Sequence, residues 1–127
     1  MAKTLIFVAL GGAVGASCRY GVGVLAAQLG SGQFPWGTFA VNVAGSFVLG
    51  ILAAAMTFSW SPSPELRAFL IVGVLGGFTT FSAFSLDVAL LVEKDRLALA
   101  AVYLVGTVAI SVAGLFAGLK LTRMILA

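Results

Sequence analysis

The sequence contains no histidine, a single cysteine and only four acidic residues among its 127 residues. With Cys18 alone and no histidine, the chain has neither a disulfide framework nor a metal cluster built from cysteine and histidine. Three of the four acids lie near predicted loops, so we expect no acid–base or nucleophilic constellation and no enzyme activity. The seven basic residues are scattered singly, which argues against nucleic-acid binding despite the net charge of +3.

Charge of either sign is scarce, because charged residues make up 9% of the chain and hydrophobic residues 61%. That balance is far from the one found in soluble domains. A membrane-spanning helix needs about 20 apolar residues, and four apolar stretches of such a length cover residues 4–29, 37–58, 66–92 and 97–126. The sequence therefore predicts an all-α membrane protein in which residues 1–127 form one domain of four transmembrane helices.

The third apolar stretch carries, at residues 76–82, the run Gly-Gly-Phe-Thr-Thr-Phe-Ser, which is unfavourable for a continuous helix. Glycine lowers helix propensity, and a released backbone amide finds no water in hydrocarbon. Irregular backbone at membrane depth persists only where protein buries it or where it lines a polar cavity. We therefore predict that the third helix is broken mid-membrane, and that carbonyl groups released at residues 76–80 coordinate a monovalent cation.

Polar residues inside the predicted spans fall on single helical faces. Asn42 shares a face of the second helix with Thr38 and offers two N–H donors to a small anion, although hydrogen bonding between helices explains it equally well. After the predicted break, Phe81 and Phe84 stand beside Ser82, where their positive ring edges suit an anion, with simple packing as the competing interpretation. On the fourth helix, hydroxyl groups every four residues predict a polar track: Tyr103, Thr107 and Ser111.

Arg19 and Asp87 lie inside the predicted spans, where charge is costly. Arg19 is in the first helix and Asp87 in the third, so Asp87 is the partner of Arg19 in sign. Alternatively, Arg19 reaches the membrane interface along its aliphatic stem. A fixed cation at the mouth of a pore would attract anions.

Lysine and arginine give almost no orientation signal. Four spans place four basic residues on one side and two on the other, with Arg19 leaning towards the smaller group. The positive-inside rule leaves two interpretations open: noisy counts in a small protein, or insertion in both orientations with antiparallel pairing. Glycines inside the spans favour close helix approach, and we expect a homo-oligomer because four thin helices rarely enclose a pathway. These glycines are Gly11, Gly15, Gly45, Gly50, Gly106, Gly114 and Gly118.

Three motifs of the chain resemble those of the Fluc (CrcB) family of fluoride channels. They are residues 11–20 (GGAVGASCRY), 36–47 (WGTFAVNVAGSF) and 73–85 (GVLGGFTTFSAFS), and the likeness covers the whole chain with four spans in matching order. The resemblance implies an antiparallel, dual-topology homodimer in the lipid of the cell inner membrane. It further implies two fluoride pores and a structural sodium ion at the dimer interface.

Carried over by motif, the resemblance assigns a fluoride pore to Asn42, Phe81, Phe84, Thr38, Ser82, Tyr103, Thr107 and Ser111. It places Arg19 in a vestibule and gives the sodium ion the backbone carbonyl groups of Gly76 and Thr79. The family pattern has threonine at the position of Ala83 and glutamate at that of Asp87, so this chain lacks one hydroxyl group and has one shorter carboxylate.

The function that this resemblance predicts is passive, fluoride-selective conduction that exports fluoride and lowers its cytoplasmic concentration. One alternative is a proton-coupled exporter of the small multidrug resistance type. That type needs a carboxylate in its first helix, where this chain has Arg19 and no acid. The other alternative is an accessory subunit of a larger membrane complex, which would conduct nothing when reconstituted alone.

Overall fold

A computed structural model of the protein describes residues 1–30 and 32–126, and leaves Ser31 and Ala127 outside the described part. The described residues contain no strand. Their elements are α1 (Ala2–Gln28), α2 (Trp36–Phe58), α3 (Pro64–Arg67), a π-helix (Ala68–Leu75), α4 (Gly76–Phe78), α5 (Phe81–Glu93) and α6 (Leu97–Leu126). Four segments are helical, long and apolar enough to cross a membrane: Ala2–Gln28, Trp36–Phe58, Pro64–Glu93 and Leu97–Leu126. The prediction of an all-α chain with four apolar spans is confirmed.

The third span, Pro64–Glu93, is assembled from several short elements. It begins at Pro64, where the side chain of Ser63 accepts a hydrogen bond from the Leu66 amide at 3.2 Å. Helical winding continues through the π-helix to the end of α4 at Phe78. The next two residues are extended, with φ −86° and ψ 158° at Thr79 and φ −154° and ψ 123° at Thr80.

Helix α5 begins directly after this extended pair. The hydroxyl group of Thr80 accepts a hydrogen bond from the Ala83 amide at 3.1 Å and thereby caps α5. Threonine is a favoured N-cap residue because its oxygen satisfies an amide that has no partner within the helix. The sequence around the two threonines therefore starts a helix as well as ending one.

Glycines bring α1 against the first half of the third span. A Cβ atom on Gly11 would overlap the Phe69 carbonyl oxygen, and one on Gly15 would overlap the Val74 carbonyl oxygen. From the other side, a Cβ atom on Gly73 would lie 2.8 Å from the Cα atom of Gly11. Backbone therefore meets backbone along this contact, as small residues allow in membrane helices.

The second close contact joins α2 to α6. A Cβ atom on Gly50 would overlap the Leu115 carbonyl oxygen, and one on Gly118 would overlap the Phe47 carbonyl oxygen. In contrast, a Cβ atom on Gly106 would meet nothing within 4 Å. The glycines that we took as a sign of assembly thus serve mainly to pack helices within one chain, and they are no argument for a second chain.

The best buried cluster lies where α5 meets α6. It contains Phe84, Leu91, Ala100 and Tyr103, of which Tyr103 has no exposed surface. Outside this cluster, large apolar side chains cover much of the chain's surface; Phe81, for example, is 76% exposed. Such a surface requires lipid or protein contacts, because soluble proteins rarely expose apolar patches of this extent.

Candidate functional site

A cavity of about 280 Å³ lies between α2, the start of α5 and α6. We call it the central cavity. It brings together residues from three spans that lie far apart in the sequence. Five of the eight predicted pore residues line it: Asn42, Phe81, Phe84, Thr107 and Ser111.

Two hydroxyl groups in the wall of the central cavity have no hydrogen-bond partner within residues 1–30 and 32–126. The oxygen atoms of Thr107 and Ser111 are both buried, and Thr107 as a whole is only 4% exposed. Hydroxyl groups in membrane helices ordinarily bond to a preceding backbone carbonyl group. An unsatisfied buried polar group costs about 1–3 kcal/mol, so these two hydroxyls are available to a polar ligand in the cavity.

Asn42 connects the central cavity to the extended residues of the third span. Its Nδ2 atom donates to the Thr80 carbonyl oxygen at 3.0 Å, and its Oδ1 atom accepts from the Thr80 amide at 2.8 Å. The carboxamide thus holds both backbone groups of one residue. Since the amide nitrogen carries two N–H groups, one donor remains beyond the one that Thr80 accepts.

Aromatic rings form one side of the central cavity. The ring centroids of Phe81 and Phe84 lie 5.6 Å apart at a tilt of 58°, and those of Phe84 and Tyr103 lie 5.1 Å apart at 59°. Phe84 is 3% exposed, so its position is fixed by packing, whereas Phe81 remains largely exposed on the described chain. Tilted rings of this kind present edges, which are the positive part of an aromatic ring.

A second cavity, of about 400 Å³, lies on the other side of the extended residues. We call it the outer cavity. Arg19, Thr38, Thr80 and Ala83 are among the residues that line it. Thr80 lines both cavities.

Arg19 and Asp87 are bonded to different partners. Arg19 donates from Nε to the Gly77 carbonyl oxygen at 3.0 Å. Asp87 accepts a hydrogen bond from the Tyr103 hydroxyl group at 2.9 Å, and Thr38 lies within reach of the same hydroxyl group. The pairing of Arg19 with Asp87 that their opposite charges suggested is therefore not how either side chain is bonded.

The carbonyl groups of Gly76 and Thr79 are the predicted cation ligands. In a continuous α-helix they would accept from the amides four residues on, which belong to Thr80 and Ala83. Those two amides donate instead to the Asn42 side chain and to the Thr80 hydroxyl group. Both carbonyl groups have thus lost their α-helical donors, and both residues line a small cavity of about 150 Å³ beside Gly45.

No group of three or more histidine, cysteine, aspartate or glutamate residues that could hold a metal is found in residues 1–30 and 32–126. The oxygen atoms around Gly76 and Thr79 are backbone carbonyls, which suit a hard monovalent cation. Gly76 is exposed on the described chain.

Sequence reasoning missed the central position of Thr80, which is held by Asn42, caps α5 and lines both cavities. Its place immediately before a helix start was the available signal, because threonine favours the N-cap position. Ser46, one turn beyond Asn42, also lines the central cavity. Ser82, a predicted pore residue, is exposed, and its oxygen lies 3.3 Å from the Thr80 hydroxyl oxygen.

Comparison with known proteins gives one family and many relatives. Residues 6–119 match the family described as CrcB-like protein, Camphor Resistance (CrcB). The chain is 57% identical to the fluoride-specific ion channel FluC of Rhodospirillum centenum, over 95% of this chain and 96% of the relative. It is 49% identical to the FluC protein of Agrobacterium fabrum, over 94% and 95% of the two chains. It is 51% identical to the FluC protein of a Chelativorans species, over 96% of this chain and 98% of the relative.

Proposed function

The chain belongs to the CrcB family, and on this premise we propose that it is a fluoride-selective passive channel that exports fluoride and lowers its cytoplasmic concentration. The observation that carries the proposal is the central cavity, in which two buried hydroxyl groups without partners face a carboxamide and aromatic rings. The relatives named above are ion channels, and we propose no enzyme activity for this chain.

Selectivity for fluoride follows from the donors that the central cavity offers. A selective pore must replace the hydration shell of the ion it conducts. The free N–H of Asn42 and the hydroxyl groups of Thr107 and Ser111 are hydrogen-bond donors, and the ring edges of Phe81 and Phe84 add weaker positive contacts. We propose that these groups take the place of water around a small, strongly hydrated anion, and that larger halides fit poorly among them.

The ion path that we propose runs from the outer cavity to the central cavity past Thr80. Arg19 and Thr38 lie at the outer cavity, and Thr107 and Ser111 continue the path along α6. At a rise of about 1.5 Å per residue, the hydroxyl groups of α6 are spaced about 6 Å apart. An anion can therefore pass from one hydroxyl group to the next through short steps.

We further propose that two copies assemble as an antiparallel homodimer of dual topology in the inner membrane, with the extended pair of the third span at mid-membrane. The near balance of basic residues on the two sides supports insertion in both orientations. The exposed position of Gly76 leaves the start of α4 accessible to a second copy.

A structural sodium ion at that interface fits the residues present. Gly76 and Thr79 each supply a carbonyl oxygen without its α-helical donor, and a second copy would supply the same pair. A bound cation there would offset the partial negative charge of these oxygens and join the two copies. The fit concerns the donor set alone, and the conduction path above does not pass through this site.

The decisive experiment is fluoride efflux from liposomes that contain the purified protein, followed with a fluoride electrode. We expect fluoride to leave faster than chloride by orders of magnitude, at a rate that a proton gradient does not change. Equal rates for the two ions would refute selectivity. Flux driven by a proton gradient would favour the exporter of the small multidrug resistance type, and an absence of flux would favour the accessory subunit.

Topology is tested separately by cysteine labelling. Cys18 is exposed and is the only cysteine, so it is first replaced, as Cys18→Ser, and a new cysteine is added at the C-terminus. A membrane-impermeant reagent should then label about half of the protein in sealed vesicles and the rest after the vesicles are opened. Labelling from one face alone would contradict dual insertion while leaving the fluoride proposal intact.

A further inference from the structure

Arg19 makes a hydrogen bond that its expected role as a charge in a vestibule does not require. Its Nε atom donates to the carbonyl oxygen of Gly77, in the last turn of α4, at 3.0 Å. In a continuous α-helix, that oxygen would accept from the amide of Phe81. The extended pair between α4 and α5 removes this donor, and a side chain from α1 supplies another.

The bond of Arg19 completes a set that compensates the backbone groups released between α4 and α5. Asn42 pairs with the amide and carbonyl groups of Thr80, and the hydroxyl group of Thr80 takes the amide of Ala83. With Arg19 on the carbonyl group of Gly77, α1, α2 and the third span each contribute one side chain. Such compensation is necessary, because buried backbone groups without partners are costly in a membrane.

The surroundings of Arg19 point away from pairing with an acid. Asp87, the acid that matched Arg19 in sign, bonds to Tyr103. The C-terminal end of a helix carries a partial negative charge, so the guanidinium group at the end of α4 has a suitable electrostatic partner there. Arg19 is partly buried, and its neighbours in the outer cavity include Thr38 and Thr80.

We infer that Arg19 is a positioning residue whose Nε–H holds the Gly77 carbonyl group and thereby fixes where α4 ends and the extended pair begins. Its hydrogen-bond donor performs this role, and the charge strengthens the bond. The effect on conduction rests on the proposed function, because Thr80 lines both cavities. The effect on the backbone of the third span does not.

Two substitutions separate the donor from the charge. Arg19→Met keeps an unbranched stem and removes both the donor and the charge. Replacement of Arg19 by citrulline, introduced by nonsense suppression, keeps Nε–H and removes the charge alone. Arg96→Met is the matched control, because Arg96 is exposed beyond the end of α5.

The experiment measures hydrogen exchange of the peptide covering residues 76–85 by mass spectrometry, in the full-length protein, together with fluoride efflux. We expect Arg19→Met to speed exchange about tenfold to a hundredfold, the range expected for losing a hydrogen bond that involves a charged group, and to lower flux at least tenfold. The citrulline variant should exchange within about fivefold of the wild type, because a neutral donor forms a weaker bond than a charged one. Arg96→Met should stay within about twofold of the wild type in both measurements.

Wild-type exchange in Arg19→Met would overturn the inference whatever the flux. Exchange in the citrulline variant as fast as in Arg19→Met would also overturn it, because the charge would then carry the effect. If the wild-type protein conducts no fluoride but the exchange results are as expected, the proposed function fails and the positioning role of Arg19 stands.

Discussion

The most informative single change is Asn42→Asp, which keeps the shape of the side chain and replaces its donor by an oxygen atom. In the wild type, Nδ2 donates to the Thr80 carbonyl oxygen at 3.0 Å while Oδ1 accepts from the Thr80 amide at 2.8 Å. The aspartate can still accept from the amide. Its second oxygen, however, faces the carbonyl oxygen of Thr80, so one attractive contact becomes repulsive.

The size of the effect follows from these two contacts. Removing the donor leaves the Thr80 carbonyl group unsatisfied, which costs about 1–3 kcal/mol. This cost corresponds to a decrease of about 5-fold to 160-fold in the population of the wild-type arrangement, at 1.36 kcal/mol per factor of ten. The repulsion between the aspartate oxygen and the same carbonyl oxygen adds to this cost, so we expect fluoride flux to fall at least tenfold.

The assay is fluoride efflux from liposomes, with circular dichroism and size-exclusion chromatography to verify that the variant is folded and assembled as the wild type is. Gln28→Glu is the matched control, because it also converts an amide into an acid but lies exposed at the end of α1. We expect wild-type flux in this control. Flux of Asn42→Asp within twofold of wild type would show that the Asn42 carboxamide is not needed for conduction.

Three further changes probe the cavity walls and the packing. Thr107→Val should lower flux yet leave thermal stability unchanged or raised by about 1 kcal/mol, because it removes an unsatisfied buried hydroxyl group. Gly45→Ala should destabilise the fold by about 1–3 kcal/mol through overpacking, since its Cβ would overlap the third span, whereas Gly106→Ala, which meets open space, should not; thermal unfolding in detergent compares them. Tyr103→Phe should cost about 1–3 kcal/mol in the same assay, because it leaves Asp87 without its donor.

The span positions were predictable because membrane helices are coded by length and hydropathy. The predicted stretches 4–29, 37–58, 66–92 and 97–126 start and end within two residues of the helical segments. The third stretch, for example, was predicted as 66–92, and its helical segment is Pro64–Glu93. The π-helical winding of Ala68–Leu75 was not predicted. Its residues are uniformly apolar, so neither composition nor periodicity distinguishes a π-helix from an α-helix there.

The predicted site residues divide according to how they were found. Spacing on a single helix grouped Thr107 with Ser111 and Asn42 with Thr38. In the structure, Thr107 and Ser111 line the same cavity, whereas Asn42 lines the central cavity and Thr38 the outer cavity. Their roles as fluoride ligands remain predictions. Partnerships between helices were less accessible, because the sequence offers several partners of suitable chemistry: Arg19 bonds to a backbone carbonyl group and not to an acid.

The match between α2 and the extended pair explains why the motifs of the two spans belong together. Asn42 contacts Thr80, and a Cβ atom on Gly45 would overlap the Thr79 side chain, so residues three apart on α2 meet two consecutive residues of the third span. Three residues of α-helix rise about 4.5 Å, which is nearer to the rise of about 3.3 Å per residue in an extended chain than to the rise of about 1.5 Å per residue in a helix. Asparagine and glycine at this spacing on α2 therefore match an extended threonine pair better than a helical one, and the two motifs explain each other.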